Sequence, residues 1–229
     1  VKSGSQINLH HGLKKQLAMQ FPFIKEAFFA RAVIIVEGES EIGAFPGLAL
    51  KINSTDFDEY GISVIKAGGK KSIEPLLNLL GEFEIPCIGL KDIDLDTPST
   101  NPLIYDTNQR DFDVEIVHLL TLGKESHLLS ILTEYDSLGI NRNLQKKNLI
   151  QTQNKYTNYT DQTITISSKW KLSDIPSTDL ELKKIWYLTW FGINKGIILG
   201  RVIGEYIPEV DIPQVFKDVI NQALTLSNT

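Results

Sequence analysis

The sequence has a single cysteine, Cys87, in 229 residues, so no disulfide framework is available to it. That lone thiol sits in the apolar run IPCIGL (residues 85–90) and reads as a small buried hydrophobe, in keeping with a reducing cytosol and a cytoplasmic protein. Cysteine and histidine occur at no spacing that would build a zinc site, and no internal repeat is present. No apolar stretch reaches the roughly 18 residues needed to cross a bilayer, and the N-terminus lacks a signal-peptide pattern, so no membrane partner is expected. Positive charge is also short. Against 23 Lys and Arg stand 28 Asp and Glu, a net charge of −5, which argues against a protein held on nucleic acid by bulk charge. The chain opens on Val1 instead of Met and is expected to be a piece of something longer.

What is present is an ordinary globular composition, 42% apolar and 22% charged, in a chain long enough to bury a substantial core. Residues 7–20 (INLHHGLKKQLAMQ) carry apolar positions at helical spacing, and FPFIKEAFFA adds an aromatic patch before the first strand. From Ala32 the pattern alternates. Strand AVIIVE precedes a helix over 40–52, strand GISVIKA a helix over 72–81, and strand IPCIGLKD closes the series. Short strands alternating with helices predict right-handed crossovers and a parallel sheet. The following stretch, TPSTNPLIYDTNQR, reads as loop. Helical patterns resume at 111–122, 124–137 and 142–150, and the polar segment QTQNKYTNYTDQT (151–163) is expected to be a mobile loop or hinge. The tail carries IWYLTWFGINKGIILGRVIGEYI and a last amphipathic helix ending near Leu226. The aromatics of FPFIKEAFF and IWYLTWF suit either a docking surface or core packing.

In a parallel α/β sheet the functional crevice lies beyond the carboxyl ends of the strands. Two acidic clusters fall there: VIIVEGESE places Glu37, Glu39 and Glu41 after the first strand, and KDIDLD places Asp92, Asp94 and Asp96 after the third. Glu39 and Glu41 have a structural role available, because carboxylates in a first helical turn are stabilised by the helix dipole. Glu37 has none. At strand spacing Asp92, Asp94 and Asp96 would share one side while the strand persists, and a solvated acidic turn is their plain alternative. Two groups of carboxylates at one sheet edge repel unless cations lie between them, and hard divalent ions with oxygen ligands are the natural partner. A calcium loop starting at Asp92 fails, since Thr97 stands where glycine is required and Leu103 where a glutamate is. A haloacid-dehalogenase-like phosphatase, with an aspartyl nucleophile at Asp92 or Asp94, leaves the EGESE cluster unexplained.

VIIVEGESE followed by CIGLKDID resembles the Toprim domain, the metal-binding catalytic module of topoisomerases, primases and several nucleases. FFARAVIIVEGESEIGAFPGLA, YGISVIKAGGKKSIEPLLNLL and NKGIILG resemble, more closely, the OLD (overcoming lysogenisation defect) family of nucleases, which includes the Gabija-type nuclease subunit. The resemblance implies an α/β fold: a Toprim-like parallel sheet flanked by helices, with a largely helical insertion and C-terminal helices. The expected division is a connecting helix over 1–30, a Toprim core over 31–122, a helical insertion with a mobile loop over 123–185, and a C-terminal part over 186–229 that completes the active site.

By the same resemblance Glu37 and Glu41 correspond to the first metal-binding pair, Asp92 with Asp94 to the Asp-x-Asp, and Lys195 to the active-site lysine. In RDFDVEIVHLL, Glu115 is taken as the acid completing the set, ahead of Asp113 and Asp111. Glu39 and Asp96 are further acidic candidates, and Lys70 and Lys71 candidates for contact with DNA. The implied activity is hydrolysis of DNA phosphodiester bonds with two Mg²⁺ or Mn²⁺ ions, about 4 Å apart, in phage defence or DNA processing. The implied partner is an ABC-type ATPase, as a domain or a subunit, and self-association into a homo-oligomer is left open. The chain itself has no G-x-x-x-x-G-K-[ST] loop, and Lys91 stands where the family usually has a small or apolar residue. The competing readings are a Toprim primase or topoisomerase component, for which Tyr105 is the tyrosine nearest the acids, and a catalytically idle Toprim module docked on an ATPase.

Overall fold

The computed structural model describes residues 24–52, 54–140, 144–156 and 175–228, together with Ala18, Phe21, Arg142 and Ser173. Most of the expected connecting helix and the larger part of the expected loop at 151–163 lie outside these residues.

The elements follow in chain order: β1 (Ala32–Val36), α1 (Glu39–Lys51), α2 (Phe57–Tyr60), β2 (Ile62–Lys66), α3 (Ile73–Glu82), β3 (Cys87–Lys91), β4 (Ile104–Asp106), α4 (Phe112–Val117), α5 (Glu125–Ser137), α6 (Lys146–Lys155), α7 (Leu180–Asn194), α8 (Ile197–Tyr206) and α9 (Gln214–Ser227). The strands form one sheet in the order β2-β1-β3-β4, with every neighbouring pair parallel. β1 is therefore central, flanked by β2 on one side and β3 on the other, so the chain switches direction across the sheet between β1 and β3. Crevices beyond the carboxyl ends of strands open at such switch points.

All five residues of β1 are buried, as a central parallel strand covered on both faces requires. Ala32, Ile34 and Val36 join the larger core with α1, α4, α7, α8 and α9. Val33 and Ile35 face the smaller core with α3, Ile24 and Ala27. The same alternation sends Ile88 and Leu90 of β3 to the larger core and Cys87 to the smaller. Burial pushes the Cys87 thiol up to about 11, which keeps it protonated and inert.

The stretch expected to be loop contains β4, which pairs with β3 from Gly89↔Ile104 to Lys91↔Asp106. The polar run expected to be mobile begins as helix instead. α6 continues to Lys155, started by a reciprocal capping box between Gln145 and Asn148. Within IWYLTWF, Trp186, Tyr187, Trp190 and Phe191 are fully or almost fully buried, so this segment is core and leaves no aromatic docking face.

α1 and α8 cross unusually closely. Gly43 and Gly47 of α1 face Gly200 and Gly204 of α8, and a Cβ at Gly200 would lie 1.9 Å from the Ser40 carbonyl oxygen. Both pairs are spaced four residues apart, which lines them up on one helix face. No helix among the described residues is long and apolar enough to cross a membrane.

Candidate active site

β1 and β3 end side by side, and their first residues beyond the sheet are acidic. Glu37 Oε1 accepts the main-chain N–H of Asp92 at 2.9 Å, tying the two strand ends together. Gly38 then caps α1 in extended conformation, and the two glutamates of the first turn diverge. Glu39 turns outward to Lys66 at 2.8 Å, whereas Glu41 turns into the fold and is 6% exposed. The helix-dipole role thus serves Glu39 at the surface but does not account for burying Glu41 among other acids.

Beyond Lys91 the strand does not persist, so Asp92, Asp94 and Asp96 do not share a side. Ile93 N–H donates to Thr107 Oγ1 at 3.1 Å and Asp94 N–H to the Arg110 carbonyl at 2.7 Å, which turns the chain and puts Asp94 in the left-handed region at φ +48°. Asp92 faces the larger core and accepts the N–H of Phe112, at the start of α4, at 3.0 Å. Asp94 faces the other way, with Lys70 Nζ 2.7 Å from its Oδ2 and Arg110 Nε 3.8 Å from its Oδ1. Asp96 shares Lys70 at 2.7 Å, while Lys71 lies exposed beside them. Lys91 pairs with Asp106 on β4 at 3.1 Å, which supplies its countercharge on the neighbouring strand.

Lys195 arrives from the junction of α7 and α8, with its Nζ 2.7 Å from Asp113 Oδ2 of α4. The adjacent Gly196 has φ +151° and donates its N–H to Ser40 Oγ at 3.3 Å. The close α1–α8 crossing therefore brings the lysine to the first turn of α1. Asp111 caps α4 by accepting Val114 N–H at 3.0 Å, and it also accepts Lys155 Nζ at 2.6 Å and Tyr156 Oη at 2.7 Å. The end of α6 is thereby clamped onto the helix that carries Asp113.

Glu37, Glu41, Asp92 and Lys195 line one cleft of about 370 Å³. Glu115, the sequence-based choice for the last acid, is not among them. Its Oε1 accepts Gln109 N–H at 2.8 Å, and it lines a separate cleft with His118 and Asp211. Asp113 takes the place beside the lysine. A larger groove of about 610 Å³ runs along Pro46, Leu50, Ile197 and Arg201, apart from the carboxylates.

Burial dominates the titration of these acids. It pushes Asp92 up to about 8, with Glu37, Glu41 and Asp111 adding like-charge repulsion, and Glu41 up to about 7, with Asp113 adding to it and Lys195 opposing. Glu37 is also raised by burial, in part offset by the Asp92 amide. Asp111 goes the other way. Burial alone would raise it, but Lys155, Tyr156 and the Val114 amide together hold it below the usual carboxylate range. Lys195 is held charged by Asp113 against the pull of burial.

Such a set of hard oxygen donors, buried and mutually repelling, has the chemistry of a Mg²⁺ or Mn²⁺ site. Gly38 leaves space for it, since a Cβ there would come within 3.2 Å of Glu41 Oε2. Among the described residues no three acidic, histidine or cysteine side chains are drawn around a single point.

The four-stranded parallel sheet, flanked by helices and with acids beyond the ends of β1 and β3, has a Toprim-like fold. The particular kind is indicated by comparison: residues 28–94 match the family model described as the TOPRIM domain of overcoming lysogenization defect protein-like proteins. Among solved structures, the C-terminal region of the Xanthomonas campestris pv. campestris OLD protein phased with platinum superimposes with a TM-score of 0.52 at 18% identity, covering 89% of this chain and 96% of that one. The same region phased with mercury gives a TM-score of 0.51 at 18% identity, covering 88% and 98%. These likenesses show the shared fold across nearly the whole chain. No curated protein matches in sequence.

Proposed function

We propose that the chain is a divalent-metal-dependent nuclease that hydrolyses DNA phosphodiester bonds, and that it works as the nuclease part of an ATPase–nuclease. The observation that carries this reading is the convergence of Glu37, Glu41, Asp92 and Lys195 on one cleft at the switch point of the sheet. Glu37, Glu41, Asp92 and Asp113 would hold Mg²⁺ or Mn²⁺, with Asp94 available to a second ion. When bound, the ions lower the pKa of an attacking water and balance charge on the leaving oxygen. Lys195 contributes a fixed cation 2.7 Å from Asp113, placed to meet the negative charge that builds on a phosphate entering the cleft. The Asp92–Phe112 hydrogen bond and the Asp111 clamp hold α4 in register with β3, so Asp113 and Asp92 keep a fixed spacing. Tyr105, on β4, is partly buried against the larger core.

Incubating supercoiled plasmid with the purified chain in Mg²⁺, Mn²⁺, Ca²⁺ or EDTA tests the reading. Nicked or linear product with Mg²⁺ or Mn²⁺ and none in EDTA is expected. Equal cleavage in EDTA, or none with any metal, would count against it.

A further inference from the structure

The acidic rim is divided electrostatically. On the β1 side the direct ion pair is Lys195 with Asp113, while Lys70 acts on Glu37 and Lys155 on Asp113 from farther away. On the β3 turn Asp94 and Asp96 are held in direct ion pairs by Lys70 and Arg110, with Lys91 and Lys71 adding to Asp96. The first half needs added positive charge and the second does not. Lys70 is built into this position. It follows Gly68 and Gly69, whose φ values of +78° and +127° turn the chain off the end of β2. The second of these lies in a region that side-chain-bearing residues rarely enter. That turn aims the Lys70 main-chain N–H at the Glu37 carboxylate, while its Nζ sits 2.7 Å from both Asp94 Oδ2 and Asp96 Oδ2. Both oxygens of Asp94 thus already face a cation, and Lys70 touches both acidic groups, Glu37 through its main-chain N–H and the β3 turn through its ammonium.

We propose that Lys70 stands in for the second divalent ion, so that without nucleic acid the chain takes up one ion, at the Glu37 side, and Asp94 is closed to another while the lysine remains. Lys70 comes two residues after Gly68, which lines the cleft, and its side chain is part exposed, so a nucleic-acid phosphate can compete with Asp94 for it. A second ion and the substrate backbone would then arrive together. An ammonium is a compact point charge on a flexible stem, suited to such an exchange.

This inference rests on the divalent-metal reading above, and counting Mn²⁺ separates the two. Titration of the metal-free chain with Mn²⁺, following free Mn²⁺ by electron paramagnetic resonance in the absence of DNA, is expected to give one site for the wild type and for Lys70→Arg. Lys70→Met is expected to give two, and Lys70→Met combined with Asp94→Asn to return to one. Two sites in the wild type, or one in Lys70→Met with its circular dichroism unchanged, would overturn the stand-in role while leaving the metal reading intact. No Mn²⁺ uptake by any of these chains would remove both.

Discussion

Lys195 has two jobs that can be told apart by substitution. It neutralises Asp113 in the resting fold, and in the proposed reaction it meets transition-state charge. Lys195→Met should lower the plateau cleavage rate on the order of 10²-fold, the usual scale for one lost electrostatic contact, while leaving the Mg²⁺ midpoint nearly unmoved. Titrating Mg²⁺ against rate in both proteins checks this, since a lost ligand shifts the midpoint and a lost transition-state contact lowers the plateau. An unchanged plateau would reduce Lys195 to a structural partner of Asp113. The position of Glu37 and Asp92 beyond the ends of β1 and β3 was legible in the sequence, because the apolar strand runs stop there. Which of Asp113 and Glu115 pairs with Lys195 was not. They lie two positions apart, on roughly opposite sides of a helix. α4 gives no amphipathic hint either, because Phe112, Asp113, Glu115, Ile116 and Val117 are all buried. Nor does the sequence show that the left-handed turn at Asp94 sends it away from Asp92, since that depends on Thr107 and Arg110 arriving from the far side of β4.

Among the elements, α1 and α8 decide whether the site exists at all, because their contact is backbone against backbone. A methyl at Gly200 would lie 1.9 Å from Ser40 O, with the Ala44 main chain 2.9 Å away, and neither atom belongs to a flexible side chain. Gly200→Ala must therefore push the helices apart, at a cost of about 1–3 kcal/mol or more. It should also draw Gly196 away from Ser40 and Lys195 away from Asp113. Urea melts should show the lower midpoint and plasmid assays a loss of rate larger than the stability change explains. Gly192→Ala is the control expected to keep the rate and to leave the midpoint level or slightly higher, since a methyl added there would meet nothing within 4 Å and alanine favours the helix. The alternation of strands and helices through β3 was readable because apolar runs and helical periodicity changed over cleanly. β4 was hidden because it is only Ile104–Asp106, set among prolines and turn formers, and exists by pairing with β3. α6 outran its expected end because polar residues such as Gln151 and Gln153 are neutral in helices, and Lys155 and Tyr156 gain a buried partner in Asp111.

At the scale of the whole molecule, the sequence implied a parallel sheet but not its order, because adjacency depends on how the crossovers pack. The order β2-β1-β3-β4 puts the switch point between the two acidic strand ends, and the fold carries the cost of confining them. That cost has a definite pH signature. Asp92 is raised from 3.8 to about 8, Glu41 from 4.5 to about 7, and Glu37 in the same direction, so each prefers its neutral form in the folded chain. A group whose pKa rises on folding contributes its stability in full below its unfolded value and loses it as pH climbs through the folded value. Asp111 and Asp96, held below the usual range, act in the opposite sense, but their contribution is lost only as pH falls below about 4. Between pH 5 and 8 the raised acids therefore govern, and the chain in EDTA should lose stability across that window. The loss should be on the order of a few kcal/mol, about 5–10 °C in Tm for a chain of this size. Saturating Mg²⁺ binds the ionised carboxylates, so it should raise Tm more at pH 8 than at pH 5 and flatten the curve. Asp92→Asn should flatten it without metal, because the amide reproduces the neutral carboxyl and relieves Glu37 and Glu41 of a like charge. Thermal melts of both proteins at each pH, with EDTA and with Mg²⁺, make the comparison. A wild-type Tm in EDTA that stays level from pH 5 to 8 would mean that water reaches these acids freely and that the fold does not hold them together against their charge.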